Sequence, residues 1–469
     1  MTGTAPPFAK VLVANRGEIA RRVIRTCKRL GVRTVAVYSE ADRDAPHVAE
    51  ADESFLLGPA APKESYLSLD ALVRAIEATR PDAVHPGYGF LSENSRFARK
   101  VAELGVTFIG PPPEVLDAFG DKMKARHVAL AAGTRPVPGT DEPIPLETEE
   151  GLERARRVAG EVGYPVVVKA VGGGGGIGMQ VVRDPAGLER ALKSCSDRGK
   201  ASFADARVYL ERYVAEPRHI EVQVLLDRHG NAYALGEREC SLQRRHQKIL
   251  EESPSPAAFF QGEEGEKRRR DLFDAALRVV KSVGYVGAGT CEFIADASGD
   301  LYFLEVNARL QVEHPVTEMV TGLDLVELQL RVAAGGALPD LSSVRPDGHA
   351  IEVRIYAEDP SKGFIPKPGA IDELVWAGGV GDAQTRALRV ESGVRAGSKV
   401  TPFYDPMIAK LVAWGETRAA AMDELDRALA GTTIAPCVTN VTFLRKALAS
   451  DELRSGRYDT AFAEALAKR

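Results

Sequence analysis

Val166 to Met179 reads VVVKAVGGGGGIGM, a β-branched run that ends on Lys169-Ala170-Val171 and passes straight into consecutive glycines. A glycine run gives up more backbone entropy on ordering than any other sequence, so a folded chain keeps one where its backbone must approach something closely or must move. Residue order separates three readings. A P-loop places Lys-Ser/Thr after its glycines at a helix N-terminus, whereas Lys169 precedes these. The dinucleotide pattern G-x-G-x-x-G is met by Gly173, Gly175 and Gly178, but almost any glycine run meets it. Met179-Gln180-Val181-Val182-Arg183 then continues as a strand and not as a helix. The unit is therefore strand, glycine loop, strand. It is either a hairpin whose tip folds over an anion beside the fixed charge of Lys169, or a loose hairpin without a ligand.

With 469 residues, 44% of them hydrophobic and 27% charged, the chain has the composition of a soluble protein with room for two or three domains. A formal charge of −5 leaves no general basic surface, which argues against nucleic acid as a partner. Cys27, Cys195, Cys240, Cys291 and Cys437 are odd in number, scattered and without a C-x-x-C pair, so they indicate neither a disulfide framework nor a zinc cluster. No apolar run nears membrane-spanning length and the N-terminus lacks a secretory apolar segment, so the expected location is the cytoplasm, with no membrane partner.

From Lys10 the pattern predicts a strand (Lys10 to Ala14), a helix (Gly17 to Leu30), a strand (Thr34 to Tyr38), a helix (Leu67 to Thr79) and a short strand ending at Val84. Such alternation argues a parallel sheet wrapped by helices, with a ligand edge near Asn15 to Glu18 and His85 to Gly89. A further strand, Thr107 to Ile109, stops at Gly110-Pro111-Pro112-Pro113, a stiff segment that marks the exit from this unit. A small αβ segment carrying the glycine hairpin follows. Glu211 to Asn307 alternates strands with one charged helix around Gly265 to Val283, and Lys267-Arg268-Arg269-Arg270 inside it reads as a solvated face. Beyond about Asp340 come short strands and turns, then a helical section.

Glu292 and Glu305 fall on runs that read as two strands of a hairpin turning at Asp296 to Asp300, which would bring both acids to one face. Carboxylates so placed repel unless a cation lies between them. Oxygen ligands of this kind suit Mg²⁺ bridging to nucleotide phosphates, with the Asn307 amide oxygen as a third donor. The alternative is a pair of surface strands with exposed acids, but Phe303, Leu304 and Val306 around Glu305 predict burial. Arg309-Leu310-Gln311-Val312-Glu313-His314-Pro315 and Gln243-Arg244-Arg245-His246-Gln247-Lys248 add cations and amides enough for several anions besides a nucleotide. Glu313 is a candidate general base, and spacing does not say which arginine holds which anion. Cys240 near His246 leaves thiol catalysis as a weaker alternative.

ANRGEIA (Ala14 to Ala20), HPGYGFLSEN (His85 to Asn94), KAVGGGGGIGM (Lys169 to Met179), QRRHQK (Gln243 to Lys248), EVNARLQVEHPVTEM (Glu305 to Met319) and AEDP (Ala357 to Pro360) together resemble biotin carboxylase. That family is an ATP-grasp enzyme and performs the first half-reaction of acyl-CoA and pyruvate carboxylases. The resemblance runs from about residue 8 to residue 460. It implies an α/β (α+β overall) fold with an N-terminal Rossmann-like parallel-sheet domain (1–113), an ATP-grasp domain (114–340) with a mobile lid at about 142–214, and a C-terminal biotin-carboxylase domain (341–469).

The resemblance also implies roles. Lys122 and Lys169 grip ATP phosphates, covered by Gly173, Gly174, Gly175, Gly176 and Gly178. Glu211, Arg212 and the chain to Val214 form the adenine hinge, and His219, Gln243 and His246 line the ribose and phosphates. Glu292, Glu305 and Asn307 hold two Mg²⁺ (or Mn²⁺) ions. Lys248, Arg309, Gln311 and Val312 form the bicarbonate pocket, Glu313 is its base, and Arg354 steadies carboxyphosphate and biotin. ATP, bicarbonate and biotin are thus the implied ligands. Bicarbonate attacks the γ-phosphate, carboxyphosphate decays to CO₂ and phosphate, and biotin captures the CO₂.

Two positions depart from the family pattern: Arg212 replaces a frequent lysine, and Ile177 stands where Lys or Arg is usual. The stretch Gly378 to Arg389 is longer than usual in the region of the family's homodimer contact. A homodimer is expected. So are a biotin carboxyl carrier protein and a carboxyltransferase on separate chains, because no Ala/Val-Met-Lys-Met acceptor turn is present. The acyl acceptor implied first is acetyl-CoA, for fatty acid synthesis, with propionyl-CoA, methylcrotonyl-CoA or pyruvate as alternatives. A carbamoyl-phosphate or purine-pathway ATP-grasp enzyme would share the lid and metal pair but would not be expected to join QRRHQK, VEHP and Arg354.

Overall fold

Lys10–Val13, the most buried strand near the N-terminus, lies at the centre of a five-stranded parallel sheet, flanked on one side by Arg33–Ser39 and Glu53–Gly58 and on the other by Ala83–His85 and Thr107–Phe108. The computed structural model describes residues 5–172, 178–377 and 385–469; Gly173, Gly174, Gly175, Gly176 and Ile177, and 378–384 of the long stretch, lie outside the described residues. Val11, Leu12 and Val13 are apolar in succession because helices cover both faces of such a sheet. Helix Gly17–Arg29 sends Ile19, Val23, Ile24 and Cys27 into the core, with Glu18 in its first turn and Lys28 and Arg29 in its last, each sign favoured by the helix dipole. The helix expected from Leu67 starts at Leu69, because the Ser68 side chain caps it by accepting from the Ala71 N–H. Strand Glu53–Gly58 and helix Ser95–Glu103 were not anticipated; the helix has only nine residues and owes its start to the Asn94 cap on Phe97 N–H.

The predicted ligand edge lies where the central strand and its neighbour Ala83–His85 end. Asn15 donates its amide to the carbonyls of Pro86 (2.7 Å) and Tyr88 (2.8 Å), tying the two loops. Gly87 has φ +64° and a Cβ there would stand 2.8 Å from Asn15 Nδ2, so this position admits only glycine. The stiff segment at Gly110 leads directly into helix Pro113–Phe119, with proline at its start.

The glycine hairpin belongs to a second, three-stranded antiparallel sheet of Met179–Val182, Val166–Ala170 and Val208–Arg212, paired from Val166↔Val182 to Lys169↔Met179. Strand, glycine loop, strand is therefore the observed order. Helices Glu149–Val162 and Leu188–Phe203 give this unit its own apolar core.

The third sheet is antiparallel and eight-stranded: Leu301–Asn307, Gly287–Ala295, Arg218–Leu226, Ala232–Arg244, Gln247–Ser253, His349–Tyr356, Met407–Gly415 and Leu388–Ser392 in that order. Its last three strands come from beyond Asp340, so the sheet runs through the position where the sequence changes character. Helices Arg418–Ala430 and Val441–Leu448 pack on that end around Ile351, Val353, Leu411 and Leu444. The charged helix spans Gly262–Ser282. Lys267 and Arg270 are exposed as expected, whereas Arg268 and Arg269 are half-buried: Arg269 reaches Glu237 (2.8 Å) and Arg268 the Gly299 carbonyl (2.9 Å).

Candidate active site

All three sheets face one cavity of about 1100 Å³. Its floor rises from the eight-stranded sheet. Glu292 and Glu305 are register partners, as predicted from their hairpin, and Asn307 follows Glu305 by two residues, so the three side chains share a face. The burial expected for Glu305 is not found: it is half-exposed, and Glu292 is the buried member of the pair. The apolar neighbours of Glu305 misled because Leu304 also lines the cavity and is not in the core.

Lys248, on the strand Gln247–Ser253, has three N–H donors and meets three carboxylates: Glu221 at 2.5 Å, Glu313 at 2.6 Å and Glu292 at 3.0 Å. Arg238, fully buried, holds the other side of Glu221 at 2.5 Å and also bonds Gln223, Thr290 and Thr317. Glu292 receives further bonds from His219 Nε2 (2.9 Å), Asn307 (2.8 Å) and Gln311 (3.0 Å). Burial alone would raise the Glu292 carboxyl, but Lys248 and His219 hold it well below the usual carboxylate range. The same carboxylate raises the His219 imidazole against the opposite pull of burial.

Glu313 precedes helix His314–Thr321 and is wholly buried beneath the cavity surface. Lys248 takes its Oε1, and Arg354, on the strand His349–Tyr356, takes its Oε2 at 3.1 Å. Burial would push this carboxyl up; Lys248, Arg354 and Arg238 outweigh it and hold it far below the ordinary value. Arg309 is aligned by Glu93 (2.9 Å), Asn307 Oδ1 (2.9 Å) and Gln311 Oε1 (3.0 Å), and the Val312 carbonyl accepts from Lys410 (2.6 Å).

The residues expected to meet nucleotide line the same cavity. Lys122 opens helix Lys122–Ala131 and bonds Glu305, while Lys169 bonds Glu211 across the three-stranded sheet. Arg126 braces Glu211 at 3.4 Å and donates to the Val137 carbonyl at 2.6 Å. Val137, Val214, Ile294 and Leu304 line an apolar slot next to them, and Arg212 lies over the Tyr302 ring at 5.0 Å. Gln243 Nε2 stands 2.6 Å from His219 Nδ1. His246 is exposed at the hairpin tip with φ +65°. Gly178 lines the cavity; the other four predicted loop glycines lie outside the described residues.

Cys240 does not fit a thiol nucleophile: it is fully buried, its Sγ is 4.0 Å from Glu313, and burial with the carboxylates Glu221 and Glu313 around it drives its pKa well up. The sequence reading missed Glu221, Arg238, Glu251 and Lys410. The available signal was an acid or base inside an apolar strand, as in HIEVQVLL, where burial demands a partner.

Residues 7–116 match the family described as "Biotin carboxylase, N-terminal domain", residues 121–341 "Carbamoyl-phosphate synthase L chain, ATP binding domain", and residues 352–465 "Biotin carboxylase C-terminal domain". The chain is 47% identical over 456 residues to "Biotin carboxylase 2" of Bacillus subtilis, covering 97% of this chain and 99% of that one. It is 48% identical to the methylcrotonoyl-CoA carboxylase subunit alpha of Oryza sativa, covering 97% of this chain and 60% of that protein. Among solved structures, the biotin carboxylase domain dimer of the Hydrogenobacter thermophilus 2-oxoglutarate carboxylase, in complex with MgADP, ADP and bicarbonate, superimposes with a TM-score of 0.91 at 42% identity, covering 98% of this chain and 97% of that one. Fold and site define an ATP-dependent ligase of the ATP-grasp class. Within that class the chain belongs to the biotin carboxylase family.

Proposed function

We propose that the chain carboxylates biotin held on a carrier protein, using ATP and bicarbonate and passing through carboxyphosphate. The observation that carries this reading is the buried carboxylate of Glu313, gripped on one oxygen by Lys248 and on the other by Arg354 at the floor of an ATP-sized cavity. Those two cations hold the base weak while the site waits. An anion that draws Lys248 and Arg354 toward itself relaxes their field on Glu313 and makes it a better base just when its proton acceptance is needed.

In this reading the apolar slot from Val137 to Val214 takes adenine, with Glu211 and Arg212 at the hinge and His219, Gln243 and His246 toward the ribose. Lys122 and Lys169 exchange Glu305 and Glu211 for phosphate oxygens, and Gly178 borders the cavity beside them; Gly173 to Gly176, the other glycines assigned to the phosphates, lie outside the described residues. Glu292, Glu305 and Asn307 fit Mg²⁺ or Mn²⁺, being hard oxygen donors on one face of one hairpin. When bound, the metal neutralises phosphate charge. Bicarbonate lies against Lys248, Arg309 and the backbone at Gln311 and Val312, loses its proton to Glu313, and attacks the γ-phosphate. Carboxyphosphate decays to CO₂ and phosphate, the phosphate takes the N1′ proton of biotin, and Arg354 faces the charge that develops on the ureido oxygen.

The three family matches support a division into 1–113, 114–340 and 341–469, and the lid proposed at about 142–214 falls on the unit that has its own apolar core. A homodimer is supported by the dimeric structural neighbour. A carrier and a carboxyltransferase are the proposed partners, since the relatives include subunits of larger carboxylases. A cytoplasmic setting fits five buried cysteines, all free; no described helix is long and apolar enough to cross a membrane. Acetyl-CoA is the acceptor proposed first. Identities of 47% and 48% to relatives named biotin carboxylase and methylcrotonoyl-CoA carboxylase leave propionyl-CoA, methylcrotonyl-CoA and pyruvate as alternatives. The test is ADP release from ATP with bicarbonate and free biotin each omitted in turn. Dependence on bicarbonate and stimulation by biotin are expected; ADP release indifferent to both overturns the reading.

A further inference from the structure

Behind Arg354, on the side away from the cavity, stand two carboxylates that the reaction above does not use. Glu251 and Glu352 are register partners on neighbouring antiparallel strands and both are 0% exposed. Their side chains therefore rise side by side from one face of the sheet. Arg354 follows Glu352 by two residues on that face, and Lys410 is its register partner on the next strand. Arg354 Nη2 lies 2.6 Å from Glu251 Oε1 as well as 3.1 Å from Glu313. Both oxygens of Glu352 and Glu251 Oε2 lack a hydrogen-bond partner among the described residues, and Glu251 Oε1 has only its ion contact with Arg354.

The surrounding charges cannot neutralise both acids. Lys410 pairs with Glu18 at 3.2 Å and gives its hydrogen bond to the Val312 carbonyl. Lys248 is already shared by three other carboxylates. Helix His314–Thr321, which packs on the same face, brings His314, held neutral by burial and the cations Lys410 and Arg22, and Glu318, which is taken by Arg22 and Arg389. Glu391, opposite Lys410, is paired with Arg389 and Arg25. Tyr88 spends its hydroxyl on Glu18. Two adjacent buried carboxyls facing one shared guanidinium cannot both stay ionised, and one proton between them removes a charge while supplying a missing hydrogen bond.

We propose that Glu251 and Glu352 share one proton and act as a positioning pair for Arg354, presenting it with a single balancing charge so that the guanidinium stays turned toward Glu313 and the cavity. With both acids ionised, Arg354 would be drawn back off Glu313; with neither, it would rest wholly on Glu313 and weaken that base further. Burial pushes both carboxyls upward, in the direction the shared proton requires. The proposal rests on the roles given above to Glu313 and Arg354, and its first test does not involve turnover.

Infrared spectroscopy of the substrate-free full chain should show the carbonyl stretch of a protonated buried carboxyl, absent from both Glu251→Gln and Glu352→Gln, because each single variant leaves one acid, which ionises against Arg354. A band unchanged in either single variant overturns the shared proton, whatever the enzyme's activity. In bicarbonate-dependent ATP hydrolysis each single variant should lose about threefold in kcat and the double variant about thirtyfold or more, with the KM for ATP unmoved, since either acid alone still supplies one balancing charge and only the double variant removes it. A single variant as impaired as the double, or a loss that appears in the KM for ATP, overturns the positioning role. If the double variant does not fold, the two single variants decide both points by their bands and by whether kcat or KM moves.

Discussion

Lys248 and Lys122 are both lysines paired with glutamate in the same cavity, yet they stand in different physical regimes. Lys248 is 12% exposed, its three carboxylates are 7% exposed or less, and every N–H it owns is committed. Lys122 and its one partner Glu305 are 25% and 32% exposed; Lys169 is 22% exposed, and its partner Glu211, at 9%, is shared with Arg126. In the floor the charges are desolvated and mutually required, so their geometry is set by folding. At the rim Lys122–Glu305 is a single contact open to water, worth little to stability, and Lys169 shares an acid that Arg126 can hold without it, so both ammonium groups are free to be exchanged for a phosphate. A ligase that must hold a reactive intermediate and also open to nucleotide needs both regimes, and the two lysines separate them.

The sharpest break of this comparison is at Glu313. Replacing it by Gln keeps the shape of the floor and removes the base, so bicarbonate-dependent ADP release should fall by about 10² to 10⁴-fold. ATP binding, a property of the rim, should change little. Wild-type-like turnover would remove Glu313 from the mechanism. Because Lys248 and Arg354 keep its carboxyl far below the ordinary range, the base also stays ionised throughout the mildly acidic range, and lowering the pH there should not mimic the substitution.

Next in size is Lys248→Met. It leaves Glu221 with Arg238, Glu313 with Arg354 and Glu292 with His219, so each acid keeps one partner but the central ammonium is gone. Breaking such a buried set should cost about 3 kcal/mol in unfolding free energy, the low end for a disrupted buried pair. Lys122→Met at the rim should cost less than about 1 kcal/mol. Denaturant titration of both variants decides it: equal losses would mean that floor and rim are not distinct.

How much of this could be read in the sequence follows the same division. The hairpin that brings Glu292 opposite Glu305 was legible, because strand alternation and the Asp296 to Asp300 turn fix a register. The glycine hairpin and the edge formed by Asn15 to Glu18 with Tyr88 and Gly89 were legible for the same local reason. Glu221, Arg238 and Glu251 were not: their meaning depends on which strands lie side by side in the eight-stranded sheet, and three of those strands come from beyond residue 340. Burial of Glu305 was predicted wrongly because apolar neighbours in sequence can line a cavity as well as a core. Strand Glu53–Gly58 was missed because Phe55, Leu56 and Leu57 are apolar in succession: burial alternates along the strand, but Leu56 is an apolar residue on its exposed face, so the sequence shows no clean two-residue period.

The smallest expected effect lies at the rim, at the lysine that precedes the glycine run. Lys169 stands near the end of a strand whose neighbours Val166 and Val168 are buried in the core of the three-stranded unit, so its position is fixed even though its ammonium is not. It rests on Glu211, which Arg126 also holds. Lys169→Gln therefore leaves no orphaned acid, and the melting temperature should scarcely move. The phosphate contact is lost, which should lower kcat/KM for ATP about tenfold, the scale of one charge-assisted contact. Isothermal titration with a non-hydrolysable ATP analogue, run beside thermal unfolding, checks it. A variant that melts early but binds the analogue normally would place Lys169 with the structural charges of the floor and erase the distinction between the two regions.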